Sequence, residues 1–100
     1  MARMSVYEVR FRARTADELV DDPAGLLRSV LEGMPGIARA LGTDKDAIAH
    51  TVTGTFQLEV ARGMAAAARD SSRLAKEALK LAGMGDARLV ELKIALRQGL

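Results

Sequence analysis

Residues Thr51 to Gly63 read TVTGTFQLEVARG, and where this run is divided decides the fold. Val52, Gly54, Phe56, Leu58 and Val60 alternate with Thr51, Thr53, Thr55, Gln57 and Glu59, the period of a strand with one buried face. Taken from Ile48 to Ala61 as one piece, the strand would span about fourteen residues against the usual five or six. Divided at Thr53-Gly54, the segments AIAHTV (47–52) and TFQLEVA (55–61) flank a two-residue turn in which glycine supplies a positive φ. That register keeps Ala47, Ala49 and Thr51 on one face with Phe56, Leu58 and Val60. A hairpin centred on Thr53-Gly54 is therefore the expected reading.

Upstream, Tyr7, Val9, Phe11 and Ala13 alternate with Glu8, Arg10, Arg12 and Arg14, which predicts a first strand. Thr15 and Glu18 have capping-box spacing, so a helix should follow almost directly. The helical pattern runs from Ala16 to Leu41 with interruptions. Asp22-Pro23 reads as an N-cap followed by proline at the first helical position, and Leu26, Leu27, Val30, Leu31 and Met34 recur at helical spacing. A further short helical piece is expected after Pro35, closed by Gly42. Downstream, Gly63 to Ala82 predicts a helix with Ala67, Ser71, Leu74, Ala75, Ala78, Leu79 and Ala82 on one face, and Gly83 as its stop. The last segment, ARLVELKIALRQ (87–98), is rich in helix formers, yet Val90, Leu92, Ile94 and Leu96 alternate with Glu91, Lys93, Ala95 and Arg97. It predicts a strand.

The order strand, helix, strand, strand, helix, strand is the ferredoxin-like split βαβ layout, an α+β sandwich. Right-handed crossovers place both helices on one face of a four-stranded antiparallel sheet. The 100 residues are read as one domain, large enough to bury roughly two-thirds of the surface its unfolded chain exposes. With 49% hydrophobic and 28% charged residues the chain is globular rather than disordered, and with 3% aromatics its core must be aliphatic. Many unrelated activities share this fold, so function has to come from sites.

Chemistry is sparse. The chain has no cysteine, which removes disulfides, thiolate nucleophiles and Cys-ligated metals. His50 is the only histidine and is read as an exposed or structural residue on a strand near a sheet edge. Asp44 and Asp46 lie two apart but lack the further ligands and the glycine of a calcium loop, and read as a solvated loop or a helix cap. The Gly-x-Gly of GMGDAR (83–88) follows a helix rather than opening one, the reverse of a phosphate-cradling loop. The serine pair Ser71-Ser72 falls inside a helix, with Ser71 on its buried side. No catalytic residue, metal or cofactor is assigned, and the protein is read as non-enzymatic. No segment reaches the roughly 20 apolar residues of a membrane span, and the first residues lack a secretory pattern, so a cytoplasmic location is expected.

Contact surfaces remain. With the first strand central, Arg10, Arg12 and Arg14 line the open face of the sheet, joined there by Gln57 and Glu59. Single-stranded RNA binders of this layout stack bases on aromatic rings, but Tyr7, Phe11 and Phe56 point to the helices, and the net charge is only +2. Nucleic-acid binding through the arginine row is therefore the third reading. The second is a dimeric α/β barrel that binds or converts a small molecule, with a cavity reaching His50 and Tyr7. The first is an assembly module whose partner is a second copy of itself, in a homodimer or a larger ring, or another protein. Its final strand is long, proline-free and an edge, guarded outward only by Glu91, Lys93 and Arg97 around Ala95. Proline at Lys93 is expected to remove a donor of that edge.

Overall fold

The computed structural model describes residues 4–16, 19–61 and 63–98. Its elements are β1 (Ser5–Arg14), α1 (Pro23–Gly33), β2 (Arg39–Asp46), β3 (Thr51–Val60), α2 (Met64–Leu81) and β4 (Arg88–Gln98). The four strands form an antiparallel sheet in the order β2-β3-β1-β4, which is the expected ferredoxin-like α+β sandwich. β1 and β3 are central, and β2 and β4 are the two edges.

The opening stretch divides differently from the expected hairpin. Thr51–Val60 is a single strand, and Thr53-Gly54 lies inside it. Gly54 pairs with Phe11 of β1, and a Cβ at Gly54 would stand 2.7 Å from the Phe11 ring. The glycine marks a place where a ring lies on the backbone, not a turn. The true hairpin turn is the four residues 47–50. There Asp46 accepts hydrogen bonds at Oδ1 from the backbone N–H groups of Ile48 and Ala49, both at 3.1 Å. His50 closes the turn in the left-handed region (φ 55), a conformation histidine adopts more readily than bulky residues do. It is therefore a turn residue and not part of a strand.

α1 begins as expected. Asp22 is the N-cap and accepts from Gly25 N–H at 3.2 Å, with Pro23 in the first turn. The anticipated helical piece after Pro35 is absent. The chain turns at Gly36 (φ 93), Ala38 N–H donates to the Gln57 carbonyl at 2.9 Å, and β2 starts at Arg39. Gly42 does not end a helix; it lies within β2, next to the extra residue Leu41 of a bulge. The capping box foreseen at Thr15 and Glu18 involves Glu18, outside the described residues, and the helix starts at Pro23. α2 ends as expected in a Schellman cap: Gly83 (φ 83) donates to Lys80 and Met84 donates to Leu79 at 2.8 Å.

One core joins these parts. Val9, Phe11, Ala13, Val52 and Phe56 from the central strands are fully buried against Leu27 and Leu31 of α1 and Leu74, Ala75 and Ala78 of α2. Phe11 and Phe56 meet edge to face with centroids 6.2 Å apart, the geometry aromatic quadrupoles prefer.

Candidate interface on the sheet

Among the described residues the face opposite the helices and the outer edges of β2 and β4 are uncovered. The registers place the open face residue by residue. One row across the strands is Arg39, Gln57, Glu8 and Ala95; the next is Gly42, Thr55, Arg10 and Lys93; then Asp44, Thr53, Arg12 and Glu91; then Asp46, Thr51, Arg14 and Arg88. Glu59 falls at the far end, opposite Val6. Arg10, Arg12 and Arg14 do form the expected column, while Tyr7, Phe11 and Phe56 are buried on the other side.

Charges on this face are partly matched. Arg97 bonds Glu8 at 3.0 Å, and Glu91 lies between Arg12 at 3.7 Å and Lys93 at 3.9 Å. Arg10 stands opposite Lys93, and Arg14 opposite Arg88, and neither makes an ion pair among the described residues. The Asp44 and Asp46 pair belongs to β2 rather than to a loop or a helix cap. Asp44 accepts at Oδ1 from Lys45 N–H at 2.8 Å, and Asp46 holds the turn. Shallow depressions interrupt the face, one of about 340 Å³ between Arg10, Asp44 and Thr55. His50 and Tyr7 cannot share a cavity. His50 sits beside Thr15 at the end of β1, and Tyr7 near its start, about 25 Å away at 3.3 Å per residue.

The edge is more telling. On the helix-covered side, Val9 and Phe11 of β1 are fully buried, but their β4 neighbours Ile94 and Leu92 are only half-buried. Leu96, opposite the buried Tyr7, is 53% exposed. The core extends onto β4 through Leu89, Leu92 and Ile94, and its cover gives out at Leu96. Between α2 and the start of β4 runs a cleft of about 700 Å³ lined by Lys76, Lys80, Asp86, Arg88 and Leu89.

Which backbone groups β4 offers outward follows from the alternation of an antiparallel ladder. Thr15 N–H donates to the His50 carbonyl at 2.9 Å, continuing the β1–β3 register, so odd-numbered residues of β1 turn their backbone groups toward β3. Gln57 accepting from Ala38 on the opposite side fits the same phase. Even-numbered Glu8, Arg10 and Arg12 therefore turn theirs toward Ala95, Lys93 and Glu91. The outward groups of β4 belong to Leu92, Ile94 and Leu96. This corrects the expectation for Lys93, whose N–H faces Arg10 inside the sheet. Sequence reasoning had singled out Glu91, Lys93, Ala95 and Arg97 and passed over these three, because no residue pattern sets the phase of a ladder.

The other edge is guarded. β2 carries the bulge at Leu41, then Gly42, and the consecutive charges Asp44, Lys45 and Asp46, all exposed, features that discourage pairing. Thr43 ties this strand to α1 by donating from Oγ1 to the Ala24 carbonyl at 2.7 Å. Among the described residues no three His, Cys, Asp or Glu side chains gather where they could hold a metal ion, and no helix is long and apolar enough to cross a membrane. The chain matches no protein-family model, and no curated protein sequence matches it.

Proposed function

We propose that this chain is a non-enzymatic assembly module that self-associates through the free edge of its sheet. The observation that carries the reading is β4 itself. Among the described residues the outer edge of this 11-residue strand is unpaired, Leu96 is half-exposed, and Leu92 and Ile94 are only partly buried. Their backbone donors and acceptors point outward by the ladder phase. Such an edge binds another strand through main-chain hydrogen bonds, and its alternate side chains give selectivity. The guarded β2 edge supports β4 as the pairing side.

The test is sedimentation or native mass as a function of concentration, for the wild type and for Leu96→Pro. Leu96 is half-exposed, so proline there removes an outward N–H at small cost to the core, and an edge position tolerates its ring. The expected result is a wild-type dimer or larger assembly and a folded Leu96→Pro monomer. Lys93→Pro, by contrast, breaks the ladder to β1 and should lower the melting temperature. A wild type that stays monomeric at every concentration would overturn the proposal, as would a Leu96→Pro variant that associates as well as the wild type.

A further inference from the structure

We infer that the partner strand is β4 of a second copy, antiparallel, about a two-fold axis passing through Ile94; this rests on the self-association proposed above. A closed pair of identical chains presents the same patch twice, so residue i meets a residue on the far side of the axis and the reverse. Edge-to-edge, that symmetry makes the two β4 strands antiparallel. The position of the axis is then fixed by three observations.

First, the outward backbone groups belong to even-numbered residues, so only axes that pair even with even complete the hydrogen bonds. Second, β4 is in regular register with β1 only from Glu91 to Leu96, with irregularities beyond Arg12/Glu91 and Tyr7/Leu96. An axis at Leu92 would set Ile94 against Val90, and one at Ala95 would set Lys93 against Arg97, both reaching the irregular parts. Third, charge selects among the rest. An axis at Lys93 faces Lys93 with its own copy, and like charges directly opposite oppose pairing. The axis at Ile94 sets Lys93 against Ala95, within the regular part. It also lays the exposed Leu96 against the partly buried Leu92 on the helix side. The product is a continuous eight-stranded sheet with its four helices on one face.

The absence of cysteine makes the register directly measurable. Residues 93 and 95 fall on the open face, where substitution spares the core, and across this axis they form a non-hydrogen-bonded pair. Such pairs bring Cβ atoms to about 4.5 Å, near what a disulfide needs. Lys93→Cys and Ala95→Cys are prepared separately and oxidised alone and as an equal mixture, beside a Glu91→Cys and Lys93→Cys mixture. The expected result is a disulfide only in the mixture of Lys93→Cys with Ala95→Cys, in up to about half of the dimers because random assortment makes half of them mixed. A disulfide in Lys93→Cys or Ala95→Cys alone puts the axis at that residue, and one in the Glu91→Cys mixture puts it at Leu92; each overturns the register. A wild type that is dimeric by native mass while no combination cross-links overturns the edge contact altogether. A monomeric wild type instead overturns self-association, so the two failures stay distinct.

Discussion

Gly54→Ala isolates the contact on which the central strands depend. A Cβ built at Gly54 lies 2.7 Å from both Cε1 and Cζ of Phe11 and 3.2 Å from Cδ2 of Leu27. Neither neighbour has room to withdraw, because both are fully buried and Phe11 rests edge to face on Phe56. Inserting a methyl group into a packed core costs about 1–3 kcal/mol. Removing a glycine from an extended strand recovers about 0.4–1 kcal/mol by restricting the unfolded chain. The net expectation is a loss of about 1–2 kcal/mol, which at about 4–8 °C per kcal/mol in a domain this size lowers the melting midpoint by roughly 5–15 °C. Gly42→Ala is the control. It also lies in a strand, nothing stands within 4 Å of its Cβ position, and the same entropic gain should leave it unchanged or slightly stabilised. Urea denaturation followed by far-UV circular dichroism reads both. Adding Phe11→Leu should shrink the Gly54→Ala penalty, because the clashing ring is gone, and a double-mutant cycle gives that coupling. A Gly54→Ala protein as stable as Gly42→Ala, or a cycle without coupling, would refute the reasoning.

Two further substitutions probe the helices. Ser71 of α2 is fully buried, and its hydroxyl has no hydrogen-bond partner among the described residues; Ser71→Ala should therefore be neutral or raise stability by up to about 1 kcal/mol, read by the same urea titration. At the start of α1, Asp22 combines a cap hydrogen bond with a left-handed backbone (φ 49), so Asp22→Ala should cost about 1 kcal/mol and Asp22→Gly distinctly less. Equal losses for the two would assign the role of Asp22 to its carboxylate alone.

The elements with strong periodicity were legible in the sequence, and the errors sit where two signals competed. β1 and α2 bury a full face or stripe, and β4 keeps a strict alternation despite its partial burial, so their apolar spacing is readable. The Schellman stop at Gly83 and the cap at Asp22 follow from single residues with special backbone needs. Gly54 misled because glycine signals a turn in isolation, whereas here it yields space to Phe11, a contact 43 positions away that no local window contains. β2 was hidden for the complementary reason. RALGTDKD has no β-branched apolar residue and buries little beyond Ala40, so its strand is imposed by pairing with β3 against its own local preference. Misplacing the turn by a few residues also moved His50 from the hairpin onto a strand. The open-face column of Arg10, Arg12 and Arg14 survived this error because β1 was correctly phased. The outward-facing trio of Leu92, Ile94 and Leu96 needed one hydrogen bond, from Thr15 to His50, to set the phase.

The core and the open edge draw on different residues, and this separation shapes what kind of association the edge could support. The core closes within one chain: every apolar residue of the central strands that faces the helices is buried without help from a partner. β4 adds a short regular window and a few half-covered aliphatic side chains, which is small beside the roughly 2,000 Å² or more buried in obligate dimers. The proposed pairing is therefore expected to be reversible and set by concentration, with a folded monomer as its other state. Nor is the bare edge the residue of a poorly defended fold, since the same chain guards β2 with a bulge, a glycine and three consecutive charges. A molecule that protects one edge and leaves the longer, more apolar one open has a surface suited to adding a strand. Weak pairing at that surface would make the proposed assembly sensitive to a single lost donor, while a core complete in each chain should keep the variant folded.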